Sequence, residues 1–445
     1  MAWLDRRLNY ERAVPGPGTF ALARMRRLLA SVGSPHLAVP VVHVAGTKGK
    51  GSTVAMIAGI LGAAGHRVGC YLSPHVRTIE ERIGIDGRPI DAAALAAAFA
   101  TVMPAVETLD VAAARRGLRG PTWFEVLTAV ALLHFARARV DIAVLETGLG
   151  GRLDATNVSR PVLSVITSIS LDHMAILGRT IGRIATEKAG IIKRGVPVVS
   201  GATHPSARRV IRATAARRRA PLLELGRDFQ AIPAARPAGA GRPLGMNAVR
   251  LRLPPTFVGP AGPGPEYEIA MPGRHQAENA ALAIIATRRI DALGYAVPER
   301  AIVAGLRSTM LPARIEVASR RPLVIVDAAH NAASMRALID TLAPALATHR
   351  PRVLVFAASA DKQIEQMLRA ATGWFDRVIV TRYATNPRAA PVERLAAACR
   401  AAGFTTVESA ASPAAAVARA RRFAGRSGLV CVAGSFFLAA EIGRG

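Results

Sequence analysis

The residues best suited to chemistry lie in one glycine-rich segment, Gly46-Thr47-Lys48-Gly49-Lys50-Gly51-Ser52-Thr53. Glycines let the backbone turn tightly, so that successive N–H groups and a helix N-terminus point at a phosphate. Lys50 would then bridge the outer phosphates, and a following hydroxyl would hold Mg²⁺. The spacing differs from the common GxxxxGK[ST] loop, because Val44 occupies the position of its first glycine. We predict a phosphate-binding loop here.

A second candidate segment begins at Glu146, where an apolar stretch ends, and continues through several glycines to Asn157. Ligand-binding residues in open α/β sheets usually lie where strands end. A carboxylate there suits a further Mg²⁺ contact, and the glycines would allow a substrate to approach the backbone. Taken alone, the same segment also fits a glycine-rich turn with a solvated glutamate.

Lysine is scarce in this chain, since the 58 basic residues comprise 53 arginines and five lysines, at positions 48, 50, 188, 193 and 362. Arginine can replace lysine where only positive charge matters, but not where a compact ammonium or a nucleophilic amine is needed. A lysine that reacts with CO₂ to form a carbamate could not be an arginine. Lys50 and Lys188 are therefore functional candidates, with chance survival as the alternative.

Further polar candidates follow later apolar segments. Asp172-His173 comes after one of them, and His173 would suit Mg²⁺ only if carboxylates and phosphates supplied the other ligands. Asp327 and His330 follow another, and Arg314, which precedes that segment, could reach a nucleotide phosphate. Taken alone, each of these residues is more typical of capping or packing.

Short apolar segments that alternate with helical patterns must position these candidates. Predicted strands cover Val39–Ala45, Arg67–Leu72, Asp141–Glu146 and Val162–Thr167, and predicted helices cover Ser52–Ala64, 121–139 and Gln276–Ile290. The alternation predicts a mostly parallel sheet with helices on both faces. The stretch from Ala231 to Pro265, rich in proline and glycine, is predicted as loop or a small inserted sheet edge.

The alternation starts again near Pro298. Predicted strands cover Leu323–Val326, Arg352–Ala357, Arg377–Thr381 and Leu429–Ala433, with a helix over Ser334–Leu346. We therefore predict an α/β protein, with a P-loop-type, mostly parallel ATPase domain at residues 1–297 and a smaller Rossmann-like α/β domain at residues 298–445.

The composition excludes several classes of protein. The 445 residues are 51% hydrophobic, which excludes a disordered chain, and three distant cysteines indicate neither a disulfide framework nor a metal knuckle. No uninterrupted apolar run reaches the ~18 residues of a membrane span, and the first residues lack a signal-peptide pattern. A soluble cytoplasmic protein without a membrane partner is expected.

The net charge of +28 is spread over both halves of the chain, and 4% of the residues are aromatic. This distribution disfavours a nucleic-acid partner.

Together these segments resemble the folylpolyglutamate synthase and dihydrofolate synthase family, within the Mur ligase superfamily of ATP-dependent amide-forming ligases. The resemblance runs in order along nearly the whole chain. Besides the segments above, it covers Ser73-Pro74-His75, Glu81-Arg82-Ile83, Thr122 with Phe124-Glu125, Glu187 to Lys193, Gly273-Arg274-His275-Gln276 with Asn279, Asp361-Lys362 and Gly434-Ser435.

The resemblance implies a role for each matched residue. ATP would be bound by Thr47, Gly49, Lys50, Gly51, Ser52, Thr53, Asn279, Arg314 and Asp327, with Asn279 and Asp327 at adenine and ribose. Two Mg²⁺ ions would be held by Ser73, Glu146, His173, Ser52 and Lys188 as its carbamate. Lys50, Lys188 and His330 would be catalytic, and the pterin would lie against Thr122, Phe124, Glu125, Leu153, Asp154 and Ala155.

By the same resemblance, the expected enzyme adds L-glutamate to dihydropteroate, to reduced folates or to both, through an acyl phosphate. A single-activity enzyme is the near alternative, and a nucleotide-switched nucleic-acid-binding protein is the distant one. A monomer is expected. The chain departs from the family pattern at Lys48, Thr147, Ala328 and Leu311–Arg314, and none of these changes removes a reacting group.

Overall fold

The computed structural model describes residues 2–9, 21–236, 244–253 and 265–442. The chain forms two compact units. The first comprises Met1–Ile232, Val249–Tyr267 and Glu278–Thr309, and the second Pro233–Ala248, Glu268–Ala277 and Met310–Gly445. The chain therefore crosses between the units several times before it stays in the second one. The predicted domain boundary at 297/298 stays a prediction.

The first unit is built on an eight-stranded sheet. In chain order its strands are β1 (Val41–Ala45), β2 (Val68–Tyr71), β3 (Ile83–Ile85), β4 (Arg88–Pro89), β5 (Ile142–Glu146), β6 (Pro161–Ile166), β7 (Val198–Ser200) and β8 (Leu222–Glu224). Their order across the sheet is β4-β3-β2-β5-β1-β6-β7-β8. The six neighbouring strands β2-β5-β1-β6-β7-β8 pair in parallel, whereas β3 is antiparallel to both β2 and β4.

The central strands are apolar because helices cover both of their faces, as in other parallel sheets. Every residue of β1 and β5 is buried. Since β2, β5, β1 and β6 are parallel neighbours, their carboxyl ends meet at one edge of the sheet. The segments after these four strands contain the first group of candidate residues. The predicted strands thus agree with the observed ones to within two residues.

Helices connect the strands of the first unit. They are α1 (Ala2–Asp5), α2 (Leu22–Ser31), α3 (Lys50–Ala63), α4 (Ala92–Ala114), α5 (Trp123–Arg137), α6 (Met174–Leu177), α7 (Ile181–Ala189), α8 (Pro205–Arg218), α9 (His275–Asp291) and α10 (Glu299–Ser308), with 3₁₀ helices at Pro35–Leu37, Ile79–Arg82 and Ala155–Val158. Helix α9 begins in residues assigned to the second unit.

Helix α4 was not predicted from the sequence. Within the described residues it is the one helix whose length and composition would allow it to cross a membrane. Alanines supply much of this apolar character, and Leu95, Ala98, Val102 and Val106 pack into a core cluster together with residues of α5. One such helix is weak evidence for a membrane span, because core helices of soluble proteins pass the same test.

A separate three-stranded sheet contains β9 (Gln230–Arg236), β10 (Met246–Arg252) and β11 (Glu266–Ile269), in the order β11-β10-β9. These strands lie in and beside the segment predicted as loop or a small sheet edge. The remainder of that segment, 237–243 and 254–264, lies outside the described residues.

The second unit contains a six-stranded sheet in the order β12-β13-β17-β14-β15-β16. The strands are β12 (Glu316–Arg320), β13 (Leu323–Val326), β14 (Arg352–Phe356), β15 (Arg377–Val380), β16 (Val407–Ser409) and β17 (Leu429–Ala433), and the helices are α11 (Ala332–Thr348), α12 (Ile364–Arg369), α13 (Val392–Ala401), α14 (Pro413–Ala424) and α15 (Phe436–Ile442). Only β12 is antiparallel to its neighbour. The predicted fold class, with two α/β units, is confirmed.

Candidate active site

The predicted phosphate loop joins β1 to α3, and two of its glycines cannot be replaced without a clash. Gly46 and Gly49 have φ of 158° and 83°, which favour glycine. A Cβ would lie 1.7 Å from Thr167 Oγ1 at Gly46 and 2.2 Å from Asn279 Oδ1 at Gly49. Asn279, an expected nucleotide contact, therefore lies directly beside the loop. Helix α3 begins at Lys50, so its first N–H groups and its dipole favour an anion at this point.

Lys50, Glu146 and Ser73 come together at the ends of three neighbouring strands. Lys50 Nζ lies 3.8 Å from Glu146 Oε1, and the backbone N–H of Ser73 donates to Glu146 Oε2 at 3.0 Å. A Cβ on Gly51 would lie 3.4 Å from Glu146 Oε2, so the helix start packs close to this carboxylate. Glu146 is buried, which strengthens its interactions with nearby cations.

Lys188 reaches the same place from α7. It is buried, and its Nζ donates to the carbonyl oxygen of Gly46 at 2.7 Å. Burial, reinforced by repulsion from Lys50, lowers the pKa of Lys188 to about 7, while Asp172 and Asp154 act in the opposite direction. A large fraction of the amine is therefore unprotonated near neutral pH, which is the form that can attack CO₂.

A pocket within the first unit contains Lys50 and Lys188 in its lining. It is lined by Gly46, Thr47, Lys50, Gly148, Leu149, Gly150, Asp172, His173, Leu177 and Lys188. Thr47 is fixed through its N–H, which donates to Ser168 O at 2.7 Å, and through its hydroxyl, which lies 3.2 Å from Ser170 O. Asp172 is named beside His173 from the sequence, but only His173 receives a predicted role there, and the structure places Asp172 in the pocket lining as well.

His173 immediately precedes the short helix α6 and caps its N-terminal end. Its backbone is left-handed, with φ of 47°, and its side chain is half exposed. Its Nε2 lies 3.9 Å from Asp172 Oδ1. This position at the rim of the pocket leaves the imidazole accessible to a ligand that occupies the pocket.

The donor set fits Mg²⁺ better than a softer metal. Among the described residues, no group of three or more His, Cys, Asp and Glu side chains is placed to hold a metal. Within that same part of the chain, the buried hydroxyls of Thr53 in α3 and of Thr147 after β5 have no hydrogen-bond partner. Ser52, which precedes Thr53 in α3, is also buried. Mg²⁺ commonly takes one or two carboxylates together with substrate phosphates and water, so one glutamate with several hydroxyls is an adequate protein contribution.

Two of the expected pterin contacts are used by the fold itself. Thr122 caps α5, since its Oγ1 accepts from the N–H of Glu125 at 3.3 Å, and Glu125 Oε2 accepts from the N–H of Thr122 at 2.8 Å. Glu125 also pairs with Arg24 at 2.7 Å. This reciprocal capping box fixes the start of the helix. Phe124, in the same first turn, is half-buried and lies against Gly148, where a Cβ would be 2.6 Å from its ring.

The other expected pterin contacts lie in the turn after β5. Leu153 is half-buried, and Asp154 and Ala155 are buried at the start of the 3₁₀ helix Ala155–Val158. Asp154 accepts from the N–H of Leu149 at 2.9 Å and from the N–H and hydroxyl of Thr156 at 3.0 and 2.5 Å. Burial raises the pKa of Asp154, against these hydrogen bonds. Asp154 therefore holds the glycine turn in shape.

A second cluster lies in the second unit, at the end of β13. Asp327 is buried and accepts from the N–H groups of Ile315 and Ala329, each at 2.8 Å. Burial raises the pKa of Asp327, and nearby Arg314 opposes the shift. The Arg314 guanidinium lies 4.9 Å from the centre of the Phe436 ring, and the His330 ring lies 5.5 Å from the same ring. The predicted Arg314, Asp327 and His330 are thus neighbours.

Two family models match the chain. The Mur ligase middle domain matches residues 107–287, and the Mur ligase glutamate ligase domain matches residues 313–436. The predicted domain boundary falls between the two matches.

Individual relatives are similar over most of their length. The chain is 39% identical to the dihydrofolate synthase/folylpolyglutamate synthase of Bacillus subtilis (strain 168), over 83% of this chain and 81% of the relative. The crystal structure of Mycobacterium tuberculosis folylpolyglutamate synthase complexed with ADP and AMPPCP has a TM-score of 0.85 and 33% identity, covering 99% of this chain and 95% of that one. Escherichia coli FolC in complex with DHPP and ADP has a TM-score of 0.82 and 30% identity, with coverages of 100% and 96%. The chain therefore belongs to the folylpolyglutamate synthase and dihydrofolate synthase family of the Mur ligase superfamily.

Proposed function

We propose that the protein is an ATP-dependent ligase that joins L-glutamate to dihydropteroate and to reduced folates, and so has both dihydrofolate synthase and folylpolyglutamate synthase activities. The observation that carries this proposal is the meeting of a phosphate loop and a buried amine of low pKa in one pocket, with a buried carboxylate 3.8 Å from the loop lysine Lys50. The names of the relatives supply the substrates, since the similar Bacillus subtilis protein is named for both activities.

ATP is bound with its phosphates over the loop at the start of α3. The N–H groups of the loop surround the phosphates, and Lys50, Ser52 and Thr53 follow directly in the helix. Asn279, beside Gly49, contacts the nucleotide from α9. By the family resemblance, Asp327 and Arg314 would contact ribose and phosphate, which suits the position of Asp327 at the end of β13 and the charge of Arg314.

Two Mg²⁺ ions are part of the proposal. Ser52, Ser73, Glu146 and His173, with Lys188 as a carbamate, would hold them together with the phosphates of ATP. Bound Mg²⁺ would offset the negative charge on the transferred phosphoryl group. Lys188 can supply an oxygen ligand only after its amine adds to CO₂ and loses a proton, a step that its lowered pKa favours.

The reaction proceeds in two displacements. An oxygen of the acceptor carboxylate attacks the γ-phosphorus of ATP, which gives an acyl phosphate and ADP. The amine of L-glutamate then attacks the acyl carbon, loses a proton and expels inorganic phosphate, which leaves an amide. Lys50 stabilises the charge on the phosphoryl oxygens, and this electrostatic stabilisation is the main catalytic contribution available to the protein. Phe124 and Leu153 present half-buried apolar surface to the pterin, and His330 is the further catalytic residue of the proposal.

A single-activity synthase is the near alternative, and the two acceptors distinguish it. Purified protein is incubated with ATP, Mg²⁺ and labelled L-glutamate, once with dihydropteroate and once with tetrahydrofolate. The proposal expects a labelled product from both acceptors, whereas a product from one alone establishes a single activity. The same assay, extended to longer products, reports the preferred tail length. The proposal also takes the enzyme to be a cytoplasmic monomer.

Lys50→Ala is the decisive variant for the site. Loss of its ammonium is expected to lower kcat by roughly a hundredfold or more, as for other single groups that stabilise transition-state charge. Arg115→Ala, which removes an exposed positive charge, serves as the control and should retain parent activity. If neither acceptor gives a product and Lys50→Ala behaves like the parent, the ligase proposal is wrong.

A further inference from the structure

Lys193 is one of the five lysines, and the proposed reaction leaves it without a role. It lies four residues after α7, half-buried, at the end of the segment that begins with Glu187 and Lys188. Its Nζ donates to two oxygens of a single residue, Asn157, at 3.1 Å to the backbone oxygen and 2.7 Å to Oδ1. An ammonium on a flexible stem can make both contacts from one nitrogen, whereas the guanidinium of an arginine is longer and planar and would have to approach the two oxygens differently.

Asn157 in turn ties the turn after β5 to the end of α7. Its Nδ2 donates to Arg152 O at 2.9 Å and to Gly190 O at 3.2 Å. Because Lys193 accepts no hydrogen bond and holds the Oδ1 of Asn157, it fixes which way the amide faces. The amide must then present its Nδ2 to both of these carbonyl groups.

The turn and the helix end are packed closely at this point. The N–H of Arg152 donates to Glu187 O at 2.7 Å. A Cβ on Gly151 would lie 2.9 Å from Glu187 O and 3.0 Å from Lys188 O. The backbone that carries Lys188 is thus held against the glycine turn, and Lys188 Nζ reaches Gly46 O in the phosphate loop from there. A small displacement of this helix end would move the amine out of the pocket.

We propose that Lys193 is a positioning residue that acts through Asn157 to hold the end of α7, and with it the amine of Lys188, against the phosphate loop. The functional consequence, though not the placement itself, rests on the proposed ligase function. Burial and the nearby Arg218 and Arg26 lower the pKa of Lys193 to about 8, so the ammonium form, with three N–H donors for these two acceptors, predominates at neutral pH.

The test measures how well Lys188 is held, without using catalysis. The parent, Lys193→Met and Lys193→Arg are treated with a limiting amount of an amine-methylating reagent in CO₂-free buffer. Mass spectrometry of peptides then gives the labelling rate of Lys188 relative to Lys362 in the same molecule. Since the chain has only five lysines, each site is resolved. Arg194→Met, which removes a neighbouring but exposed charge, is the matched control.

Both variants at position 193 are expected to raise the relative labelling of Lys188 by about threefold or more, because local opening becomes more frequent. Asn157→Ala is expected to do the same, and adding Lys193→Met to it should give no further rise, since both changes break one connection. A smaller rise, a rise in Arg194→Met, or additive effects in the double variant would overturn the proposal. Lys193→Arg covers the case in which Lys193→Met does not fold.

Kinetics separate positioning from a merely structural role. In Lys193→Arg, kcat is expected to fall roughly tenfold, with the KM for ATP changed less than about twofold, because a displaced reacting group costs rate rather than nucleotide affinity. An unchanged kcat in a variant whose Lys188 labels faster would overturn the functional part. If the parent forms no folate product while the labelling responds as expected, the ligase proposal fails and the placement of Lys188 by Lys193 stands.

Discussion

His43, in the middle of β1, is the first of three buried residues joined by side-chain hydrogen bonds that lead to the turn after β5. Its Nε2 lies 2.8 Å from Thr156 Oγ1, and that hydroxyl donates to Asp154 Oδ1 at 2.5 Å. Because the Thr156 proton is committed to Asp154, the imidazole must donate through Nε2 and is neutral. Within the described residues its buried Nδ1 has no hydrogen-bond partner. A second proton would have to sit on Nδ1, where no acceptor is available.

Stability should therefore decrease in acid because of His43. Burial, with a smaller contribution from Lys193, lowers its pKa from 6.5 to about 3. Below pH 6.5 the unfolded chain binds a proton at His43 that the folded protein does not bind. The free energy of unfolding therefore falls as the pH is lowered from 6.5 to about 3. Between pH 6.5 and about pH 4.5 the parent should lose roughly 2 kcal/mol more than His43→Gln, which retains a donor but does not titrate. Urea unfolding across this range measures the difference. The exposed His204→Gln should lose as much as the parent, and equal losses in all three proteins would refute the prediction.

The candidate catalytic residues of the first unit could be singled out from the sequence because their residue types are demanding. Lys50, Glu146 and Lys188 stand at strand or helix ends in a chain that otherwise prefers arginine. The supporting residues could not be predicted in the same way. The contact between His43 and Thr156 and that between Lys193 and Asn157 each depend on which segments meet in three dimensions, and a buried histidine or asparagine has no local signature for such a partner.

At the scale of elements, the end of α7 and the turn after β5 fit together too closely to accept a methyl group. A Cβ at Gly190 would lie 2.3 Å from Arg152 Cβ and 2.5 Å from its Cα. The backbone at Gly190 is ordinary right-handed helix, with φ of −62°. This glycine is therefore needed for space and not for its backbone conformation.

Two glycines of the same region provide a matched test of this packing. Gly190→Ala should lower the free energy of unfolding by about 1–3 kcal/mol, because the backbone of Arg152 must move. Gly182→Ala, in the first turn of α7 with nothing within 4 Å of its Cβ position, should raise it by up to about 0.5–1 kcal/mol through the loss of backbone entropy in the unfolded chain. Urea denaturation compares the two variants directly. A stabilising Gly190→Ala would show that the turn and the helix end are not in contact in solution.

Elements with strong local signals were predictable, and those defined by long-range pairing were not. The strands Leu323–Val326 and Leu429–Ala433 are buried, apolar and bounded by turns, and they were located to the residue. Helix α4 escaped prediction because its alanines give little amphipathic pattern. Strand β12 is half-exposed, and it is defined by its antiparallel pairing with β13. No local sequence pattern specifies this pairing.

At the scale of the whole molecule, the order of the two α/β units follows from the sequence but their interleaving does not. The alternation of apolar strands with helices predicts both sheets, whereas the assignment of 233–248 and 268–277 to the second unit depends on tertiary contacts. The net charge of +28 is the other global property. The arginines at 115, 116, 217, 218 and 219 are exposed, at or just beyond the carboxyl ends of α4 and α8.

This charge is therefore expected to be dispensable for the reaction. Replacing the exposed Arg115, Arg116, Arg217 and Arg421 together by glutamine removes four positive charges distributed over both units. At physiological ionic strength, exposed charges beyond about 8 Å from the substrate are screened, so kcat/KM for ATP and for the folate acceptor should change less than about twofold. Any binding to DNA or RNA should weaken, with a smaller dependence on salt, because fewer counterions are released. The contrary result would be ATP turnover that nucleic acid stimulates in the parent and no longer stimulates in the glutamine variant. That result would show that the exposed arginines form a functional surface. It would favour a nucleotide-dependent nucleic-acid-binding protein over the proposed ligase.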